Sequence, residues 1–267
     1  MVQQAENNQN IQIRHDHKVY YLNHMGDDKE VVEDARTSIL TKGIPQRAVD
    51  RRLKQNELDR ITDFLQYRHA SVLRGSVLKV GVETTIAMQR QIRTHWVGNR
   101  QFWPDNNWFW EESDVLGFND QSGKYSRYKP IFYIPPIKLS RIETEDFDPM
   151  NPTYRFCNEE EYKGLYTTLY NSYEAAYKAY EYMNTVGISR ELSRMVIPEA
   201  IYVSGRITMN LNAALGFMSM RIDSEDNLVV TKPQAEIQQI AEGISLIVQE
   251  MWPAVYEAWD KMGRTRP

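Results

Sequence analysis

The 267-residue chain has a mass of 31.4 kDa, with 42% hydrophobic and 25% charged residues, enough to bury a core as one large domain or two small ones. A net charge of -4 argues against a protein that coats nucleic acid, and the one cysteine, Cys157, excludes an internal disulfide and a Cys-rich metal site. It fits a reducing compartment; with no transmembrane-length apolar run and no signal-like start, the expected location is the cytoplasm, away from membranes.

Residues 1–14 are rich in Gln and Asn and are expected to fray. Val19-Tyr20-Tyr21-Leu22 reads as a strand, followed by a turn over Asn23 to Asp28. Val31, Val32 and Ala35 mark one face of a short helix ending near Arg36-Thr37-Ser38. Leu58, Ile61, Phe64 and Leu65 recur at helical spacing and predict an amphipathic helix at about 55–67. Val72 to Ile86 alternates and is rich in Val and Thr, as one long strand or two would be. Ala87 to Trp96 reads as helix, and Val97 to Phe118 as a loop dense in aromatics. Ile131 to Ile134 is a short apolar segment stopped by Pro135-Pro136.

The second half predicts a long helix over Glu159 to Met183 and another over Ser189 to Ile197, stopped at Pro198. Two more are expected over Ala200 to Ile222 and Pro233 to Trp259, around a polar segment from Asp223 to Lys232. The expected fold class is α+β, a small mixed sheet flanked by helices with a helical C-terminal half. The 16 Tyr and 6 Trp suit stacked planar ligands or extensive interfaces, and they also suit an ordinary aromatic core.

Asn119-Asp120-Gln121-Ser122-Gly123-Lys124-Tyr125-Ser126 gathers an amide, a carboxylate, a hydroxyl, a hinge glycine and an ammonium in one run. Phosphate would use the cation and hydroxyl, and a heterocycle the amide and carboxylate; a plain surface turn uses the same residue types. Arg194 and Arg221 lie beside apolar residues, which predicts partly buried guanidiniums. Each would pair with a structural carboxylate or grip an anionic ligand with its bidentate fork. Asn210 and Asn212, two apart, do not share a helix face, so at least one is a cap or a ligand group. Gly216 within a helix suggests close approach of a bulky neighbour. His95 stands without a second His or Cys, so no metal site is expected. No serine-hydrolase elbow, Rossmann loop or P-loop appears.

Taken in order, these segments resemble the flavin-dependent thymidylate synthases over about residues 19–260. The likeness is carried by His24 to Asp28 with Val31-Val32 and Ala35 to Ser38, then His69-Ala70-Ser71 and Arg90-Gln91 with Thr94-His95-Trp96. It continues through Asn119 to Ser126, Phe132 to Pro135, Arg190-Glu191 with Arg194 to Pro198, Asn210 to Arg221, and Gln234 to Ile237. The resemblance implies a flexible N-terminus over 1–14 and one domain over 15–267. It implies a homotetramer that binds FAD and uses NADPH and methylenetetrahydrofolate to methylate dUMP at C5, giving dTMP. Arg221 would be the catalytic residue, set against the uracil to favour ionisation at N3. Gln91, Thr94, Asp120, Gln121, Ser122, Gly123, Lys124 and Arg194 would hold the nucleotide and its phosphate. Ser38, Ser71, Arg74, Thr94, His95, Trp96, Asp120, Asn210, Asn212 and Gly216 would line the flavin.

The chain departs from the family pattern in five places. Thr94-His95-Trp96 (or Arg93-Thr94-His95, slipped by one) stands where the family has Arg-His-Arg. Arg74 replaces a Glu, Asp120 a Glu, and Lys124 an Arg. An aromatic insertion over 97–118 separates two motifs that are normally almost adjacent. That insertion would either wall the pocket and re-tune its selectivity or pack as a flap against a neighbouring subunit. Two rival readings remain open: a sister enzyme that hydroxymethylates dUMP or modifies another pyrimidine nucleotide, and an inactive flavin- or nucleotide-binding protein.

Overall fold

A computed structural model of the chain describes residues 11–37, 53–94, 115–146, 148, 153–229 and 231–267. Its elements in chain order begin with β1 (Gln12–Arg14), β2 (Lys18–Met25), α1 (Asp28–Thr37), α2 (Gln55–Gln66), β3 (Val77–Thr85) and α3 (Ile86–Thr94). There follow β4 (Val115–Asp120), β5 (Ile131–Tyr133), β6 (Arg141–Glu143), β7 (Tyr154–Phe156), α4 (Glu159–Thr185) and α5 (Arg190–Ser193). The chain ends with β8 (Tyr202–Asn210), α6 (Leu211–Arg221), α7 (Ala235–Met251) and α8 (Pro253–Lys261). Short 3-10 turns lie at Ala70–Leu73, Ile137–Leu139 and Arg194–Val196. The fold is α+β, with two compact units that alternate along the sequence.

The first unit comprises Met1–Asp16, Glu83–Gln89 and Gln121–Ser204. Its spine is α4, whose start is a reciprocal cap: Glu161 N–H donates to Asn158 Oδ1 and Asn158 N–H to Glu161 Oε2, both at 2.9 Å. Tyr173, Tyr177 and Tyr180, at four- and three-residue spacing, turn inward to one cluster with Phe132, Ile134 and Ile201. Phe132 stacks on Tyr173 with ring centroids 5.0 Å apart and meets the edge of Tyr177 at 6.2 Å. The expected fraying of 1–14 does not reach its end: Ile11 is buried, and Gln12–Arg14 pairs parallel with Ile131–Tyr133. The helix predicted over Ser189 to Ile197 is instead the single turn of α5 followed by the 3-10 turn. Pro198 forces Ile197 to an extended ψ of 125°, so the segment tightens and stops.

The second unit comprises His17–Val82, Arg90–Asp120 and Gly205–Pro267. The four-stranded sheet has the order β2-β3-β8-β4. β4 runs antiparallel to β8, from Val115 opposite Met209 to Asp120 opposite Gly205. α7 buries Ile237, Ile240, Ala241, Ile244 and Val248, an i, i+3, i+4 stripe, and packs on α6 and β2. A Cβ at Gly243 would lie 2.9 Å from Val19, so glycine is what lets α7 approach β2 this closely. α1 and α8 are tied by Asp28, whose carboxylate accepts from the N–H of Ala254 (2.9 Å) and Val255 (3.0 Å).

Five further expectations change. The turn predicted over Asn23 to Asp28 is strand as far as Met25; the bend falls at Gly26, whose φ of +84° suits glycine. The strand predicted from Val72 begins only at Val77, after the 3-10 turn. Val115 to Phe118, taken as loop, belong to β4, while 97–114 of the aromatic insertion lie outside the described residues. The helix predicted over Ala200 to Ile222 divides into β8 and α6, because 203, 205, 207 and 209 are buried while Ser204 and Arg206 are exposed, a two-residue period. The helix predicted over Pro233 to Trp259 breaks at Trp252 (φ -132°, ψ 64°), the residue that Pro253 excludes from helical geometry.

Candidate functional site

In the first unit, the Gln121–Ser126 run folds as a tight bend. Ser122 organises it: its Oγ accepts from Lys124 N–H at 3.3 Å, and its carbonyl accepts from the N–H of Tyr125 (3.2 Å) and Ser126 (3.1 Å). Gln121 Nε2 closes the bend onto Ser126 Oγ at 3.4 Å. Gly123 is buried, and Lys124 reaches out to Glu191 Oε1 at 3.3 Å, with both side chains more than half exposed (58% and 54%). Arg190, at the start of α5, donates from Nη1 to the carbonyl oxygens of Tyr125 (3.0 Å) and Lys124 (3.5 Å). Bend and α5 are thus joined, and Arg194 follows directly on α5.

Arg194 itself corrects the expectation of a partly buried guanidinium. It is exposed, as are Leu192, Met195 and Val196, because the short α5 turns these side chains away from the core. Among the described residues its guanidinium makes no hydrogen bond or ion pair, so an anion can reach it without displacing a partner.

In the second unit, Arg221 ends α6. It is half-buried, and desolvation pushes its pKa down from the usual arginine value. Asn210 caps the same helix, its Oδ1 accepting from Ala213 N–H at 2.8 Å; Asn212, in the first turn, is buried. The pair therefore divides as the spacing required, one amide capping and one inward. Gly216 faces Arg266, whose Nε would lie 3.4 Å from an added Cβ, so the bulky neighbour there is an arginine of the C-terminal tail.

Ser71 and Arg74 are both exposed at the 3-10 turn, while Val72 and Leu73 between them are buried. The Arg74 N–H donates to the Ser71 carbonyl at 3.2 Å, which closes the turn between the two residues. Gln91 Nε2 donates to Gln234 Oε1 at 2.7 Å, tying α3 to the start of α7. Asp120 is held by an ion pair with Arg93, whose guanidinium lies over the Phe118 ring at 4.5 Å. Ser38, His95 and Trp96, and the side chain of Thr94, lie outside the described residues. No group of three or more His, Cys, Asp or Glu among the described residues could hold a metal ion.

Two partners escaped sequence reasoning. Arg190 sits in a motif quoted above, but nothing local says that it binds carbonyls 65 and 66 residues away. Arg93 had a hint in the displaced arginine of the Thr94-His95-Trp96 segment; its pairing with Asp120 had none.

Residues 21–254 match the family of thymidylate synthase complementing proteins. A flavin-dependent thymidylate synthase of Tropheryma whipplei strain TW08/27 is 26% identical over 249 residues, covering 93% of this chain and 94% of that protein. One from Thermosipho melanesiensis is 28% identical over 237 residues, covering 89% and 87%. In fold, the chain is similar to the UMP/dUMP methylase PolB of Streptomyces cacaoi bound with 5-Br UMP. The TM-score is 0.79 at 24% identity, covering 97% of this chain and 100% of that one. A bend built around Ser122-Gly123-Lys124, a desolvated arginine closing α6 and a match that spans nearly the whole chain lead to one conclusion: the protein belongs to the thymidylate synthase complementing family and is an enzyme of the flavin-dependent thymidylate synthase kind.

Proposed function

We propose that the enzyme transfers a one-carbon unit to C5 of dUMP and reduces it, giving dTMP. FAD is the cofactor, NADPH and methylenetetrahydrofolate are the co-substrates, and the active form is a cytoplasmic homotetramer. The observation that carries this reading is Arg221, a half-buried guanidinium whose pKa burial has driven down. A cation in poor solvent interacts more strongly with an anion than one in water. Beside a uracil it would stabilise the ring ionised at N3, placing electron density at C5, the carbon that must act as nucleophile.

The other roles follow from charge and exposure. Lys124, the Ser122 hydroxyl and Arg194 are accessible donors suited to the phosphate of a mononucleotide. The Lys124–Glu191 pair is exposed and therefore weak, and a dianionic phosphate can replace the carboxylate. The flavin fits the donor set of the second unit: Arg74 and Ser71 offer a cation and a hydroxyl for its diphosphate, and the buried Asn212 an amide for its ring. When bound, the flavin supplies the reducing equivalents that convert the transferred carbon to a methyl group.

Release of tritium from dUMP labelled at C5, in the presence of NADPH and methylenetetrahydrofolate, tests this reading. Arg221→Ala should lower the release at least about 100-fold, the usual cost of removing a group aimed at developing charge. Wild-type protein that binds flavin but releases no tritium would overturn the dUMP assignment.

A second reading takes UMP as acceptor, since the PolB enzyme of similar fold is described as a UMP/dUMP methylase. Asp120, one methylene shorter than the family's glutamate, is engaged by Arg93, which alters a position assigned to the nucleotide. Competition between dUMP and UMP for methylation decides between them.

A further inference from the structure

We propose that Arg190 and Tyr128 are positioning residues that hold the Ser122-Gly123-Lys124 bend in its phosphate-binding shape; the role rests on the nucleotide reading given above. The bend is seated on an aromatic ring. A Cβ at Gly123 would lie 2.8–2.9 Å from Cε2, Cζ and Oη of Tyr128, closer than any side chain tolerates, so the glycine backbone lies directly against that ring.

Tyr128 is fixed in turn at both ends of its own backbone. Its N–H donates to Tyr180 Oη at 3.2 Å, and its carbonyl accepts from Tyr177 Oη at 3.1 Å. Both tyrosines are buried on α4, at 1% and 7% exposure, so the seat is part of the rigid core of the first unit. Hydroxyls of this kind could have met their hydrogen-bonding needs anywhere; here both go to the one residue beneath the bend.

Arg190 holds the other side. Its Nη1 draws the carbonyl oxygens of Lys124 and Tyr125 toward itself. Carbonyl oxygens turned to a guanidinium are not presented to an anion, whose approach they would oppose. Lys124 Nζ, by contrast, rests on the exposed Glu191 and can leave it. The backbone of the bend is therefore fixed while its ammonium stays free to move. A phosphate subsite needs that division, because misplacement by about 1 Å costs as much as 100-fold in a well-formed site.

The test uses the flavin-loaded full chain and two ligands, dUMP and deoxyuridine, which differ only in the phosphate. Wild type should prefer dUMP. Arg190→Ala, and separately the Tyr177→Phe/Tyr180→Phe pair, should each weaken dUMP binding about tenfold while leaving deoxyuridine affinity and flavin content unchanged. Tyr→Phe removes only the hydroxyls, so it keeps the proposal testable should a larger change unfold the protein. Equal losses for dUMP and deoxyuridine, or no loss for either, would overturn the positioning role. Lys124→Ala separates the two levels. If it abolishes the preference for dUMP and Arg190→Ala does not, the positioning proposal alone falls. If Lys124→Ala leaves the preference intact, the bend is not the phosphate site, and the nucleotide reading falls with the proposal.

Discussion

Arg194 and Arg221 carry the same charge in different solvents. Arg194 is exposed and screened by water, whereas Arg221 is half-buried and desolvated. A lysine should therefore substitute tolerably at one and badly at the other. Arg194→Lys is expected to cost less than about tenfold in kcat/KM, and Arg221→Lys about 100-fold or more, since only the planar fork fits a constrained site. Steady-state kinetics on dUMP check both. At the start of α4, hydrogen bonds from the Arg155 guanidinium, then from Asn158 N–H, hold Glu161 down from the ordinary 4.5 to about 2. A depressed carboxylate stabilises the fold above its unfolded pKa and loses that contribution as pH falls through the folded one. Thermal melts should thus show wild type losing stability from pH 4.5 toward 2, and Glu161→Gln losing less over that window.

At the scale of elements, α8 depends on a residue from the far end of the chain. Pro253 has no N–H to offer, and Asp28 takes the next two donors, from Ala254 and Val255. Asp28→Ala should destabilise the protein by about 1–3 kcal/mol in urea melts, because it orphans two backbone donors, one buried and one partly buried. Asp28→Asn keeps one acceptor and should recover about half of that loss. The period-two signal of β8 was present in Val203-Ser204-Gly205-Arg206-Ile207-Thr208-Met209, yet its junction with α6 hid it. No glycine or proline separates the two elements: Asn210 ends the strand and caps the helix in one residue.

For the whole molecule, the proposed homotetramer has a physical correlate in the first unit. Between Tyr182 and Ile188, clear of Arg194, three apolar side chains (Tyr182, Val186 and Ile188) are exposed on one continuous segment. Exposed apolar side chains grouped this way suit burial against another copy. Light scattering should give about four times the chain mass, and Tyr182→Glu with Val186→Glu, away from the phosphate-binding residues, should reduce it by placing charges in the interface. Deleting 97–114 and comparing turnover on dUMP, UMP and dCMP tests whether the aromatic insertion sets selectivity; an unchanged preference excludes that role. Among the described residues, no helix is long and apolar enough to cross a membrane.

The sequence by itself determined α2, α4 and the family. The stripe of α2 and the span of α4 repeat within a few residues, and ordered motifs survive as strings whatever they touch. Only the tertiary structure decided partners: Asp28 with a backbone 226 residues away, Arg190 with the bend, Arg93 with Asp120, Tyr177 and Tyr180 with Tyr128. Such pairings follow from which distant segments pack together. A carboxylate or guanidinium has the same composition and local spacing whichever neighbour folding brings to it.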